Sequence, residues 1–240
     1  MALNIEIDKK YYKADTIPNG RIINDFFKRL TQNIFEQSYN FSESYSEIMK
    51  ETGYPPILGT ERNLYSTFAA AIDKITPIHL SEYSFDQNDC KNLAANHRRI
   101  DLWCLNKEGK FGTPLNYFIE IKKGFYCLNE NTKPDFRQNT SEDVANLIKQ
   151  IKDIKAIKPN WGTNNVFLGL YVIHGYYREG KEYYSHEQVR DNIYKQIDGR
   201  SKFQLIISTW IFDDTMNISW INEDKYKFIS IAGIVSSSET

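Results

Sequence analysis

The stretches Arg99-Ile-Asp-Leu-Trp-Cys-Leu105 and Leu115-Asn-Tyr-Phe-Ile-Glu-Ile-Lys122 decide how this sequence folds. Both alternate, and Asn106-Lys-Glu-Gly-Lys-Phe-Gly112 between them has turn chemistry, so they predict two antiparallel strands of one hairpin. Alternation places Ile100, Leu102 and Cys104 on one face of the first strand, and Arg99, Asp101 and Trp103 on the other. On the second strand Phe118, Glu120 and Lys122 share a face, opposite Ile119 and Ile121. Glu120 and Lys122 then stand about 7 Å apart and point the same way. A charge inside an otherwise apolar strand is costly unless something compensates it. Asp101 on the neighbouring strand is the nearest group to join them, and two converging carboxylates call for a cation. Mg²⁺ (or Mn²⁺) suits such oxygen donors and keeps waters for a substrate phosphate. Lys122 beside it can hold a water or offset charge growing on phosphorus.

Outward from the hairpin, the period changes. Upstream, Ile22, Ile23, Phe26, Phe27, Leu30, Ile34 and Phe35 predict a helix behind the Pro18-Asn-Gly20 turn. The polar run from Gln37 to Ser46 is expected to break it, and the first fifty residues read as helical throughout. A second helix, with Thr60 as N-cap, presents Leu64, Phe68, Ala71, Ile72 and Ile75 before Pro77 stops it. Leu80, Tyr83 and Phe85 suggest a short strand. Downstream, a polar loop from Asn129 to Thr140 leads to a helix capped by Ser141, with Val144, Leu147, Ile148, Ile151 and Ile154 as its apolar arc. The continuous run Val166–Ile173 predicts a buried central strand. Ser185 opens a further helix, Phe203–Phe212 is another buried strand, and Tyr226–Val235 is the last. A single mixed sheet flanked by helices follows, an α/β protein. Its expected parts are an N-terminal helical extension over 1–58, a core over 59–235 and a loose tail over 236–240.

An Asp on one strand of a hairpin, then Glu-x-Lys on the next, with a helix following, resembles the PD-(D/E)XK nuclease superfamily. Here the pattern is Ile100-Asp101, eighteen residues, then Glu120-Ile121-Lys122. The resemblance implies a restriction-endonuclease-like fold over about Thr60 to Ile173. It also implies divalent-metal-dependent hydrolysis of DNA, as in restriction or repair endonucleases. Asp101 and Glu120 would bind the metal and Lys122 would assist the attacking water. Glu61, in the first turn of the preceding helix, matches a position from which many members reach the metal, and Gln150 matches a helix glutamine of several branches. A homodimer is a further expectation from the restriction-type members. Ile100 stands where the name-giving motif has Pro, which is not a ligand. The alternative is a catalytically silent relative that binds nucleic acid or a protein partner.

Plain readings stand beside these. Glu-x-Lys arises by chance about once in a chain this charged, so its weight comes from its place in an apolar strand. Asp101, Glu120 and Lys122 could instead form a structural ion pair. Glu61 could serve the helix dipole, and Gln150 could be a solvated helix residue. Arg98 and Arg99 could meet phosphates, and Lys149, Lys152, Lys155 and Lys158 form a basic row. His97 falls near the site rim, Trp103 could wall it, and Tyr176, Tyr177, Tyr183 and Tyr184 could stack on bases or pack at a sheet edge. The 240 residues carry a net charge of −1, which argues against indiscriminate coating of nucleic acid. Apolar residues at 41%, with 16 Tyr and 14 Phe, promise a ring-rich core. No run approaches the about 20 apolar residues of a membrane span. The start lacks a signal peptide's apolar segment, and Cys90, Cys104 and Cys127 are scattered, so a cytoplasmic location with reduced thiols is expected. There is no Gly-rich phosphate loop, H-E-x-x-H or serine elbow.

Overall fold

The structure is a computed structural model that describes residues 3–50, 54–59, 61–84, 99–107, 112–130, 136–157, 164–178, 180–197, 203–212, 219–220 and 224–237. Its strands are β1 (Asn4–Asp8), β2 (His79–Ser84), β3 (Arg99–Asn106), β4 (Leu115–Cys127), β5 (Asn164–Arg178), β6 (Gln204–Ile211), β7 (Ser219–Trp220), β8 (Asp224–Lys225) and β9 (Phe228–Ser237). The α-helices are α1 (Gly20–Met49), α2 (Glu61–Asp73), α3 (Phe136–Ile157) and α4 (His186–Ile197). Among the described residues the main sheet runs β1-β6-β9-β5-β4-β3-β2, and the short β7–β8 ribbon joins the end of β5. Among the described strands only β4 and β5 pair in parallel, from Leu115↔Asn164 to Cys127↔Tyr176. A parallel pair requires a crossover, and α3 supplies it. The result is the mixed α/β sheet that the alternating strand and helix patterns predict.

Each face of the sheet carries its own core. Ile23, Phe27, Leu30 and Phe35 of α1, with Leu64 and Phe68 of α2, pack on Leu102, Ile119, Ile121, Leu168 and Leu170. Val144, Leu147 and Ile151 of α3, with Val189 and Ile193 of α4, cover Phe118, Phe167, Tyr171 and Ile207 on the other face. Residues Val166 to Gly175 of β5 are buried without interruption. At about 1.5–3 kcal/mol per large apolar side chain withdrawn from water, this strand anchors both layers. Gly169 sets how near α3 comes. A Cβ built there would lie 2.6 Å from Ile151 Cδ1 and 2.9 Å from Leu147 Cγ. No described helix is long and apolar enough to cross a membrane.

Several boundaries differ from the periodic reading. Helix α1 runs unbroken through Gln37–Ser46 to Met49, because Ser38 and Ser42 take buried places in the packed stripe and the remaining polar residues face outward. Small hydroxyl side chains cost a helix little where packing holds it. The first fifty residues are also not wholly helical. β1 extends the sheet beyond β6, with Ile5↔Trp210 and Ile7↔Ser208 in register. It is tied to α4 by ion pairs of Asp8 with Arg190 and, just past the strand, of Lys10 with Asp191, and Tyr11 stacks on Tyr194 at 3.5 Å. Helix α3 begins at Phe136, so Ser141 lies inside it and is not its cap. Strand β4 continues to Cys127, and β9 continues through Ser237, past the start of the expected tail. Thr60, Phe85 and Cys90 lie outside the described residues. The Ser185 reading holds: its Oγ accepts from Gln188 N at 3.3 Å, while its own N–H donates to Gln188 Oε1 at 2.7 Å, a reciprocal capping box.

The close approach at Gly169 has a measurable consequence. Gly169→Ala forces α3 outward and is expected to cost about 1–3 kcal/mol, lowering the melting temperature by about 3–10 °C. Leu147→Ala in the same chain should return part of the loss relative to the two single variants combined. Additive losses in a double-mutant melting series would contradict this account.

Candidate functional site

The site begins where the β3–β4 ladder stops. Its last paired residues are Leu102↔Ile119. Beyond them the Ile121 N–H donates not to the β3 backbone but to Asp101 Oδ2, at 2.7 Å. The Tyr65 hydroxyl of α2 donates to Asp101 Oδ1 at 3.0 Å. The carboxylate is thus wedged between two strands and held from a helix. Strict alternation fails at this point. Leu102 and Cys104 enter the core under α1 and α2, whereas Ile100 enters the core under α3 and α4. The expectation that all three share one face is therefore corrected: β3 rolls over at Asp101. Across the other edge, β2 pairs Ser81↔Leu102 and Tyr83↔Ile100, while the intervening Glu82 has a positive φ of 49°. A non-glycine residue there costs about 1–2 kcal/mol.

Strand β4 delivers the second carboxylate. Leu115 to Ile121 are all buried, and Glu120 is only 4% exposed. Its parallel register partner is Gly169, whose open side faces Leu147 and Ile151 of α3. Glu120 therefore stands on the α3 face, in a row lacking one side chain. The backbone N–H of Asp101 hydrogen-bonds to it, and the two carboxyl groups are also within hydrogen-bonding reach. Burial first, and the Asp101 charge second, push the Glu120 carboxyl up to about 9, while the Lys122 ammonium pulls it down. Lys122 is half-buried on the same strand face, in register with Tyr171, whose hydroxyl donates to Asp143 Oδ2 of α3 at 3.2 Å. Lys123 points to the opposite face and donates to the Leu58 and Gly59 carbonyls.

Asp101, Glu120 and Lys122 thus come together. Gln150 lies on the turn of α3 whose Leu147 and Ile151 cover Gly169, and its Oε1 is buried with no hydrogen-bond partner among the described residues. Glu61 is the first residue of α2, four before Tyr65, and its side chain lies outside the described residues. Trp103, opposite Phe118, lies on the Glu120 face and stacks against Tyr83. Arg99 is exposed, 4.0 Å from Glu82. Lys149 and Lys152 are exposed, and Lys155 donates to Ser236. His97, Arg98 and Lys158 lie outside the described residues. Tyr177 stacks on Tyr183 at 4.5 Å, so that pair packs at the end of β5. Sequence reasoning missed Tyr65. Its only local signal is the four-residue spacing from Glu61.

A hard divalent cation fits this donor set. Two acidic groups share a buried position that disfavours a second negative charge, and an amide oxygen in the α3 turn above has no other partner. Among the described residues no group of three or more His, Cys, Asp or Glu is placed to hold a metal ion; Asp101 and Glu120 are the two carboxyl groups described there. Comparison with profiles of known protein families, with curated proteins and with solved structures returns no match.

Because folding raises the Glu120 carboxyl above its unfolded value of about 4.3, the fold favours the protonated form. That contribution is complete below the unfolded value and is lost as pH rises toward 9. In EDTA the melting temperature should fall between about pH 5 and 9. Glu120→Gln should flatten that slope and raise melting at pH 8 by about 3–6 °C. An unchanged slope in calorimetry would show that this carboxyl is already charged in the folded protein.

Proposed function

We propose that this chain is a divalent-metal-dependent deoxyribonuclease of the PD-(D/E)XK kind, with a restriction-endonuclease-like core. The observation that carries the reading is the buried Glu120 carboxyl beside Asp101, at the place where the hairpin ladder opens, with Lys122 on the same strand face. Nothing in a purely structural role requires two carboxyl groups so close in a buried strand, since unlike partners would cost less.

In this reading Asp101 and Glu120 hold Mg²⁺ or Mn²⁺, which when bound polarises a phosphoryl oxygen and lowers the pKa of water. Tyr65 and the Ile121 N–H orient Asp101. Lys122 positions the attacking water and offsets negative charge that grows on the phosphoryl oxygens. Gln150 offers an amide oxygen that has no partner among the described residues, and the resemblance assigns a supporting carboxylate to Glu61, the first residue of α2. Exposed Lys149 and Lys152 would meet backbone phosphates from α3. A net charge of −1 favours a second reading, in which the same fold binds nucleic acid or a protein without cutting.

Plasmid, linear duplex and single-stranded DNA incubated with Mg²⁺ or Mn²⁺ test the proposal. Metal-dependent cleavage is expected, with Lys122→Ala and Glu120→Ala slower by about 10²-fold or more. Either metal at a hundredfold excess over its dissociation constant should also stabilise the protein by about 2.7 kcal/mol, and Glu120→Ala should abolish that shift. A wild-type protein that neither cuts nor responds to metal would favour the binding reading.

A further inference from the structure

The apolar stripe of α1 does not stop where its core does. Ile23, Phe27, Leu30 and Ile34 are buried against the sheet, and by helical spacing the same face continues through Phe41, Tyr45, Ile48 and Met49. Ser42 is the last buried residue of the helix. Beyond it Ile48 is 76% exposed, and Phe41 and Met49 are each 52% exposed. Phe41 and Tyr45 stack on one another at 6.2 Å. Beside the stripe opens a cavity of about 540 Å³, lined by Phe41, Tyr54, Pro55, Pro56, Asn63 and Thr67. The surface therefore carries both an apolar projection and an apolar recess.

We infer that this overhanging end of α1 is the interface with a second copy of this chain, the two copies related by a two-fold axis through Tyr45. Phe41 and Met49 lie four residues either side of Tyr45. An antiparallel crossing at Tyr45 sets Met49 of each copy against Phe41 of the other. It also brings Ile48 toward the partner's recess beside Phe41, so projection and recess meet twice, as a two-fold interface demands. Glu43 and Glu47 fall on the far side of the helix by the same spacing, so no like charges are forced together. At about 200 Å² per large side chain, the exposed parts of Phe41, Tyr45, Ile48, Met49 and Tyr54 amount to roughly 500 Å² per copy. Doubled, this reaches roughly the 1,000 Å² from which specific interfaces start, before the polar rim of Gln37 and Asn63 is added. The inference stands on this surface alone and does not depend on the nuclease reading.

Sedimentation velocity of the full chain between 5 and 200 µM tests it. The wild type should sediment as a dimer at the upper concentrations. Ile48→Glu should weaken association at least thirtyfold with an unchanged circular dichroism spectrum, and Glu43→Ala should leave it unaltered. Tyr45→Cys should form a disulfide-linked dimer under mild oxidation, which the wild type, with its native cysteines, should not. A wild type that is monomeric at 200 µM, or an Ile48→Glu variant that pairs as tightly as the wild type, would overturn the proposal. So would a monomer that floats with phosphatidylcholine vesicles, which would assign the stripe to a lipid surface. Oligomeric state is read without substrate or metal, so this outcome and the cleavage outcome are independent.

Discussion

The long parallel pairing of β4 with β5 is the constraint on which the rest of the molecule depends. It runs without a break from Leu115↔Asn164 to Cys127↔Tyr176. Parallel neighbours cannot be joined by a tight turn, so the chain must leave the sheet and return, and α3 is what it builds on the way. That helix and α4 close one face, α1 and α2 close the other, and the stretches Leu115–Ile121 and Val166–Gly175 of the two central strands are buried on both sides. The polar residues of the buried stretch of β4, Asn116 and Glu120, then sit in an environment chosen for apolar residues. Glu120 is there because its strand is, and its unusual ionisation is a direct product of the architecture.

Around that carboxyl the sheet yields locally. An ordinary hairpin would have satisfied the Ile121 N–H with a β3 carbonyl. Here a side chain takes that place, and the consequence spreads to both neighbours: β3 turns its faces over between Leu102 and Ile100, and Glu82 on β2 adopts a left-handed backbone. Three strands bend out of regularity about one aspartate. Such irregularity persists only where surrounding packing over-determines it, and here the layers of α2 and α3 do so from opposite sides.

What could be read in the sequence was whatever depended on near neighbours. The alternation of 99–105 and 115–121, the apolar run of β5 and the arcs of α2, α3 and α4 are local patterns, and they predicted the hairpin, the central strand and the mixed sheet. The joint placement of Asp101, Glu120 and Lys122 followed from the hairpin alone. β1 could not be seen this way: only Ile5 and Ile7 distinguish it, and its partner lies some two hundred residues away. The continuation of α1 was hidden because Ser38 and Ser42 look like breakers until a packed neighbour is known. The rollover at Asp101 was invisible because a side-chain acceptor, not the apolar period, ended the ladder. Tyr65 was missed for a similar reason, since its role is defined by a strand that pattern reading does not connect to its helix.

The placement of β1 also sets an order of events during synthesis. Asn4 to Asp8 leave the ribosome some two hundred residues before their partners Ile207 to Ile211 are made. The phenyl ring of Phe27 likewise waits for the gap at Gly233. Until β6 and β9 are made, β1 and the apolar face of α1 have no finished sheet to join, so the nascent chain presents them to whatever else is in reach. Closure of the sheet between β1 and β6 is a late step that spans some two hundred intervening residues. The time the ribosome takes to reach β6 and β9 therefore sets how long the growing chain stays vulnerable to association with its neighbours.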